Sequence, residues 1–270
     1  MKKNEGYFIN TFLVLGLLVL GLTITYRVVF YTESSDSDKS RKEKSDDLVF
    51  VIKDVSFVMK PVNGGSFRMG NSDTDVESGE YSNQSVTLDS YYIGETEVTQ
   101  DLWRVVMGTT ISQQRDKVNP LGPLRGVGGE YPMYYISRYE CDEFIRKLNL
   151  LTGRSFRFPT EAEWEYAAKG GNKSNGYKYA GSNTLNSVAW YGDNSGNTTH
   201  IVKDKMPNEL GVYDMTGNVW EWCRDDFKPN NYVLRGGSWY SEPSFCRLTK
   251  RHSLDYGCRE TCYGIRLAMD

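Results

Sequence analysis

Apolar and polar positions alternate through Leu48–Gly70, LVFVIKDVSFVMKPVNGGSFRMG, a period that predicts strands with a turn at Asn63-Gly64-Gly65. Ser85–Thr99, SVTLDSYYIGETEVT, repeats the alternation and predicts a second strand pair. The period then lengthens. Thr99 suits the N-cap of a short helix over Gln100–Met107, which gathers Leu102, Trp103 and Val106 on one side. Thr109–Glu130 is glycine-rich and polar and is expected to be a long loop. The strongest helical signal is Ser137–Thr152. Ser137 and Glu140 have capping-box spacing, Cys141, Phe144, Ile145 and Leu148 form an apolar stripe, and Gly153 ends it. A second box, Thr160 with Glu163 after Pro159, opens a helix carrying Trp164 and Ala167. The preference of acids for a helix N-terminus accounts for Glu161, Glu163 and Glu165 there. Gly170–Asp204 has few periodic apolar positions and needs ties from elsewhere to become ordered. Glu209–Asp270 predicts short strands, closed by YGIRLAMD.

Gly6–Tyr26 carries no charged residue over 21 positions, long enough for a transmembrane helix. Lys2 and Lys3 precede it and hold that end in the cytoplasm. Arg27, Val28, Val29 and Phe30 follow, with no small-x-small cleavage site, so the segment is expected to be an uncleaved single-pass signal anchor. Ser34–Asp47, SSDSDKSRKEKSDD, cannot bury a core and predicts a solvated tether. The chain thus divides into a cytoplasmic tip and anchor, 1–31, a charged flexible linker, 32–47, and one domain, 48–270. That domain is placed in the periplasm or outside the cell, where disulfides persist.

Of the 270 residues 39% are hydrophobic, enough for one sizeable core. Net charge is −3 with acids and bases interspersed, which argues against a nucleic-acid partner. With 19 Tyr, 11 Phe, 6 Trp and 26 Gly, aromatic packing is expected to hold a loop-rich fold. Two histidines, His200 and His252, exclude a His-rich metal site. Five cysteines leave at least one unpaired within the chain, and no Walker loop, HExxH or CxxC is present.

Two motifs organise the chain. YDMTGNVWEW, Tyr213–Trp222, sets Trp220 and Trp222 beside Glu221 and Gly217. LRGGSW, Leu234–Trp239, puts two glycines before Ser238 and Trp239, so that backbone can approach closely. Together with FPTEAEWEYAA, Phe158–Ala168, they resemble the formylglycine-generating enzyme, or sulfatase-modifying factor, family, from about Phe57 to Ala268. The resemblance implies an α+β fold of the C-type-lectin-like type, loop-rich with little regular secondary structure, here with one N-terminal transmembrane helix.

The resemblance also implies a calcium site. Asp214 and Glu221 would give side-chain oxygens, and Gly217 and Val219 backbone carbonyls, the donors that ion takes. The family has Asn where this chain has Asp214. An ion pair between Glu221 and an arginine such as Arg235 is the alternative. A second family calcium site falls near Asn186–Val188, to which Asn186 would contribute. The family's oxidases hold copper(I) between two cysteines shortly after the GGS motif, because soft thiolates suit that ion. Ser238, Ser241 and Cys246 stand at the family's catalytic positions, and the copper pair is incomplete: Cys246 is the second cysteine, but the first is Ser241, a hard and weak ligand. Calcium is therefore the expected cofactor and copper is not, unless the fold brings Cys258 or Cys262 across. Cys246 is expected either to pair with Cys223 as a structural disulfide or to be a buried thiol.

Arg247, Lys250, Arg251 and Arg259 crowd one region with Tyr240, Phe245, Tyr256 and Tyr263. Trp239, Tyr240, Arg247 and Arg251 suggest a groove for a protein, peptide or glycan ligand outside the cytoplasm. Arginines paired with acids in the core are the alternative. The expected function is a membrane-anchored, non-catalytic binding or scaffolding module of this family. An active oxidase, converting a sulfatase cysteine to formylglycine with copper and oxygen, is opposed by Ser241. A third reading is a retroelement-diversified C-type-lectin-like binding protein. Mutagenesis of asparagine codons would supply His252, Ser253, Leu254, Asp255 and Tyr256, but not Glu242 or Glu260.

Overall fold

The computed structural model describes residues 46–70 and 83–270, and before them only the backbone of two short paired strands, β1 (Asn10–Leu13) and β2 (Arg27–Phe30). The anchor expected over Gly6–Tyr26 and the tether over Ser34–Asp47 lie almost wholly outside the described residues. Among the described residues, no helix is long and apolar enough to cross a membrane.

The domain opens with β3 (Leu48–Ile52), β4 (Val55–Val62), β5 (Gly65–Met69), β6 (Gln84–Leu88) and β7 (Tyr91–Gly94). Helices α1 (Gln100–Met107), α2 (Ile111–Asp116) and α3 (Arg138–Thr152) follow, then β8 (Phe156–Arg157), α4 (Glu161–Ala168) and α5 (Leu185–Val188). The C-terminal part holds β9 (Trp220–Lys228), β10 (Asn231–Arg235), β11 (Arg251–Asp255), β12 (Tyr263–Gly264) and β13 (Ala268–Met269). One sheet runs β3-β4-β7-β13-β8, a second β11-β10-β9-β12, and among the described residues β5 pairs with β6 alone. The last strand thus closes the first sheet between β7 and β8, which fastens the C-terminus to the start of the domain.

Two strand pairings differ from those the alternation suggests. The β3–β4 turn is Lys53-Asp54, with Lys53 at φ 57°, and Asn63-Gly64 instead leads the chain out of that sheet. Likewise β6 and β7 do not pair with each other: β6 pairs with β5, and β7 lies between β4 and β13. The exit from β4 is pinned where the Gly64 N–H donates to Ser90 Oγ at 2.9 Å. A side chain at Gly64 would meet Leu88 O at 2.5 Å, so the crossing strands leave no room there. The stretch expected to be one long loop contains α2, capped by Thr110 and Gln113 in a reciprocal box.

The expected helices form as their caps and stripes dictate. Thr99 Oγ1 accepts from Leu102 N, Ser137 boxes with Glu140, and Gly153 caps α3 at φ 66°. The Trp103 ring on α1 stacks on Phe144 of α3, centroids 5.1 Å apart, and Cys141, Phe144 and Leu148 are fully buried. Burial of each large apolar side chain in this cluster is worth about 1.5–3 kcal/mol. A second cluster joins Trp164 and Ala167 of α4 to Val212, Met215, Cys223 and Val233. A third, of Tyr179, Leu185, Val188, Ala189, Tyr191 and Cys246, orders the glycine-rich stretch 170–204. The three acids of α4 do more than favour its N-terminus. All are buried, with Glu161 on Arg251, Glu163 on Arg157, and Glu165 on Arg235 and Lys169.

Candidate functional site

The two organising motifs lie side by side. Arg235 of β10 is opposite Glu221 of β9, Leu234 is opposite Trp222, and Gly217 N donates to Gly236 O at 2.9 Å. Beyond the strands, Trp239 N donates to Asn218 O at 2.8 Å, which carries the register into Ser238–Ser241. Gly217 is at φ 83°, and an added Cβ would fall 2.2 Å from Trp190 O. Only glycine allows that approach.

Glu221 does not form the expected calcium set with Asp214, Gly217 and Val219. Its Oε1 accepts from Arg266 Nη2 at 2.7 Å, and its Oε2 accepts from Arg266 Nε at 2.9 Å and Trp164 Nε1 at 2.6 Å. A calcium ion on that carboxylate would face the guanidinium, so these residues as arranged do not fit the ion. The arginine partner is Arg266; Arg235 is held by Glu165 and Glu161. Asp214 sits at φ 56°, with its Oδ2 accepting from Lys203 N at 2.9 Å. Burial pushes its carboxyl up to about 6, and Glu221 adds to the shift. Glu97, which accepts from Asn218 Nδ2 and Val219 N, is held well above the usual carboxylate range by burial and then by Asp214 and Glu221. Asn186 is similarly engaged. Its side-chain oxygen accepts from Tyr191 Oη at 2.8 Å, and the Lys205 ammonium sits 2.8 Å from its carbonyl, where a second calcium was expected. Among the described residues, no group of three or more His, Cys, Asp or Glu is placed to hold a metal.

At the copper positions, Ser241 Oγ is 3.1 Å from Ser238 Oγ and accepts from Ser238 N at 2.9 Å, which closes a tight turn with Tyr240 exposed at its tip. Cys246 packs behind this turn and is 1% exposed. A side chain at Gly237 would touch Cys246 Sγ at 3.0 Å. Burial, with Asp193 nearby, pushes the Cys246 thiol up to about 12, so it stays protonated near neutral pH. Of the two alternatives for Cys246, a disulfide with Cys223 or a buried thiol, the structure has the second: both thiols are free and buried and belong to different clusters.

The turn forms one side of a cavity of about 510 Å³. Ser238, Ser241 and Cys262 line its more buried part, Trp220, Tyr240, Phe245 and Tyr263 give it aromatic walls, and the exposed Asp193 and Glu242 complete it with His252. The backbone bond from Gly192 N to Ser241 O, 2.9 Å, brings the Asp193 segment to the turn. Burial lowers the His252 pKa, which favours the neutral imidazole. Of the four residues expected to form a groove, only Tyr240 lines the cavity. Trp239 is buried with its Nε1 donating to Thr261 O, Arg251 is turned to Glu161, and Arg247 is outside the lining. Asp193 was not legible as a site residue, because it arrives from a segment without a motif, and His252 was read only as the first position of the segment open to diversification.

Sheet order, the paired motifs and the serine turn define a sulfatase-modifying-factor-like α+β domain. The chain belongs to the sulfatase-modifying factor enzyme 1-like domain family, matched over residues 57–270. The chaperone protein LppX of Paenibacillus barcinonensis is 32% identical over 278 residues, spanning 87% of this chain and 93% of that protein. The formylglycine-generating enzyme of Streptomyces coelicolor is 35% identical over 148 residues, 42% of this chain and 46% of the enzyme. Among solved structures, Treponema denticola variable protein 1 superposes with a TM-score of 0.71 at 32% identity, covering 83% of this chain and 99% of that one.

Proposed function

We propose that this chain is a membrane-anchored binding or scaffolding module of the family, acting outside the cytoplasm without the family's copper-dependent oxidation. One observation carries the reading: the first copper position is a serine whose hydroxyl is engaged with Ser238, while the second, Cys246, is a buried thiol. Copper(I) needs accessible soft donors, and a hydroxyl beside a protonated thiol does not supply a pair. The anchor is supported by the uncharged run Gly6–Tyr26.

The test loads the full chain in detergent with copper(I) and adds a peptide containing Cys-x-Pro-x-Arg. The expected result is that copper is lost on desalting and the peptide mass is unchanged. The mass change of cysteine to formylglycine would overturn the reading.

A second reading, a diversified receptor, is favoured by the position of His252 on β11, where it lines the cavity at the start of the segment His252–Tyr256. A near-copy of the 3′ end of the gene, beside a reverse transcriptase gene, would establish it. Their absence from the locus would remove it.

A further inference from the structure

The tyrosines differ in what their phenols touch. Those of Tyr91, Tyr134, Tyr135, Tyr166 and Tyr191 donate to protein acceptors. Among the described residues, the phenols of Tyr139, Tyr232 and Tyr256 have no hydrogen bond to the protein. These three form one patch. Tyr139, the second residue of α3, is 62% exposed, and its ring centroid is 6.1 Å from that of Tyr256 with the planes at 68°. Tyr256, just beyond β11, is in turn 5.8 Å from Tyr232 of β10.

An acid completes the patch. Of the three acids on α3, Glu140 accepts from Lys117 and Arg259, and Glu143 accepts from Arg146. Asp142 differs: Arg138 Nε is 3.8 Å from its carboxylate, beyond hydrogen-bond reach, and its side chain is 50% exposed. Arg138 is fixed beside the patch, 5% exposed, with its guanidinium 3.6 Å from the Phe158 ring centroid and 4.4 Å from that of Tyr232. Its Nη1 donates to Cys223 O, while its buried Nε has no hydrogen-bond partner. Burial raises the Asp142 carboxyl against the pull of this arginine. Burial, then Asp142, Tyr232 and Tyr139, raises the Tyr256 phenol, which therefore stays protonated and able to donate.

Charge decides the kind of ligand. The Asp142 carboxylate and the Arg138 guanidinium offset one another, so the pair has little net attraction for an ion. What remains is exposed aromatic surface, whose electron-rich faces attract polarised C–H groups, bordered by phenols and a carboxylate that exchange hydrogen bonds with hydroxyls. A pyranose ring presents that combination, with C–H groups on its faces and hydroxyls around its edge.

We propose that the Tyr139–Tyr256 patch is a glycan-binding site, at which a neutral sugar ring stacks on Tyr139 while its hydroxyls donate to Asp142 and bond to the phenols of Tyr232 and Tyr256. The corner made by the two rings orients the sugar as well as holding it. None of these residues lines the cavity over the serine turn, so the site is separate from it and acts whether or not that turn is catalytic.

The test uses the full chain in a polyoxyethylene detergent, which carries no sugar, with cellotriose, maltotriose and chitotriose as probes and saturation-transfer NMR as the readout. At least one trisaccharide is expected to bind, with the strongest transfer to its ring C–H protons. Tyr139→Ala should weaken that binding about fivefold or more at an unchanged melting temperature, because the side chain is exposed and alanine suits a helix. Tyr139→Phe keeps the ring and should retain most of the affinity. Binding by none of the three, binding that survives Tyr139→Ala, or equal losses in the alanine and phenylalanine variants would overturn the proposal. Displacement of the sugar by an equal concentration of tetramethylammonium would make the patch a cation site and overturn it as well. Failure of the non-catalytic reading registers separately, because peptide oxidation is scored by mass and sugar binding by NMR.

Discussion

Glu221 and Arg266 form an ion pair with no solvent exposure on either side, and Trp164 Nε1 donates to the same carboxylate at 2.6 Å. Arg266 also donates to the carbonyls of Gly94 and Tyr213, so one guanidinium joins β7, the first residue of the organising motif and the C-terminal segment. The pair stands where the family resemblance implies calcium, and it holds these segments together through a fixed internal cation.

Removing one partner leaves the other charge buried and unpaired. Arg266→Met is expected to destabilise the domain by about 3–5 kcal/mol, and Glu221→Gln by a similar amount. The double variant should lose less than the sum of the two. Chemical denaturation of the three variants measures the coupling. Independent, additive losses would show that the pair does not hold the motif.

Asp214 makes stability depend on pH in a direction opposite to that of most salt-bridged carboxylates. Its ordinary value of 3.8 rises to about 6 on folding, so the folded state binds this proton more tightly than the unfolded state. The stabilisation is fully present below pH 3.8 and is lost as pH rises through about 6, a change on the order of 3 kcal/mol. Glu97 acts in the same direction. Asp214→Asn should flatten the slope of unfolding free energy between pH 4 and 6 to what Glu97 leaves. The variant should fold, because asparagine tolerates the positive φ and its oxygen still accepts from Lys203 N. An unchanged slope would remove Asp214 from the account.

Thiol reactivity should follow burial. Cys258 and Cys262 are partly exposed, while Cys141, Cys223 and Cys246 are buried. Iodoacetamide on the native protein at pH 8 is expected to label Cys258 first and Cys262 more slowly, since burial pushes the Cys262 thiol up to about 12. The other three should react only after unfolding. Recovery of a Cys223–Cys246 disulfide from unreduced protein would contradict this arrangement.

Ser241→Cys tests the lesion in the copper pair directly. If the hydroxyl is what prevents copper binding, the variant should retain copper(I) through desalting where the native chain does not. Failure of a folded variant to retain the ion would mean that the buried position of Cys246 is also limiting.

Sequence alone determined what is local. Caps, stripes and stops placed α1, α3 and α4, because the helix period and the orphan N–H groups at each N-terminus are satisfied within a few residues. The GGS frame likewise identified Ser238, Ser241 and Cys246 as one unit. The tertiary structure decided what depends on distant segments. Alternation located β4, β5, β6 and β7 but did not choose their partners, since an edge's hydrogen bonds accept any strand of suitable register. Glu221 was legible as an acid that takes either calcium or an arginine, but its partner lies 45 residues away, and Arg235, opposite it in the sheet, is held by Glu165. The cavity is the clearest case. Its serine turn is written in the sequence, while the arrival of Asp193 and His252 beside that turn depends on packing between distant segments.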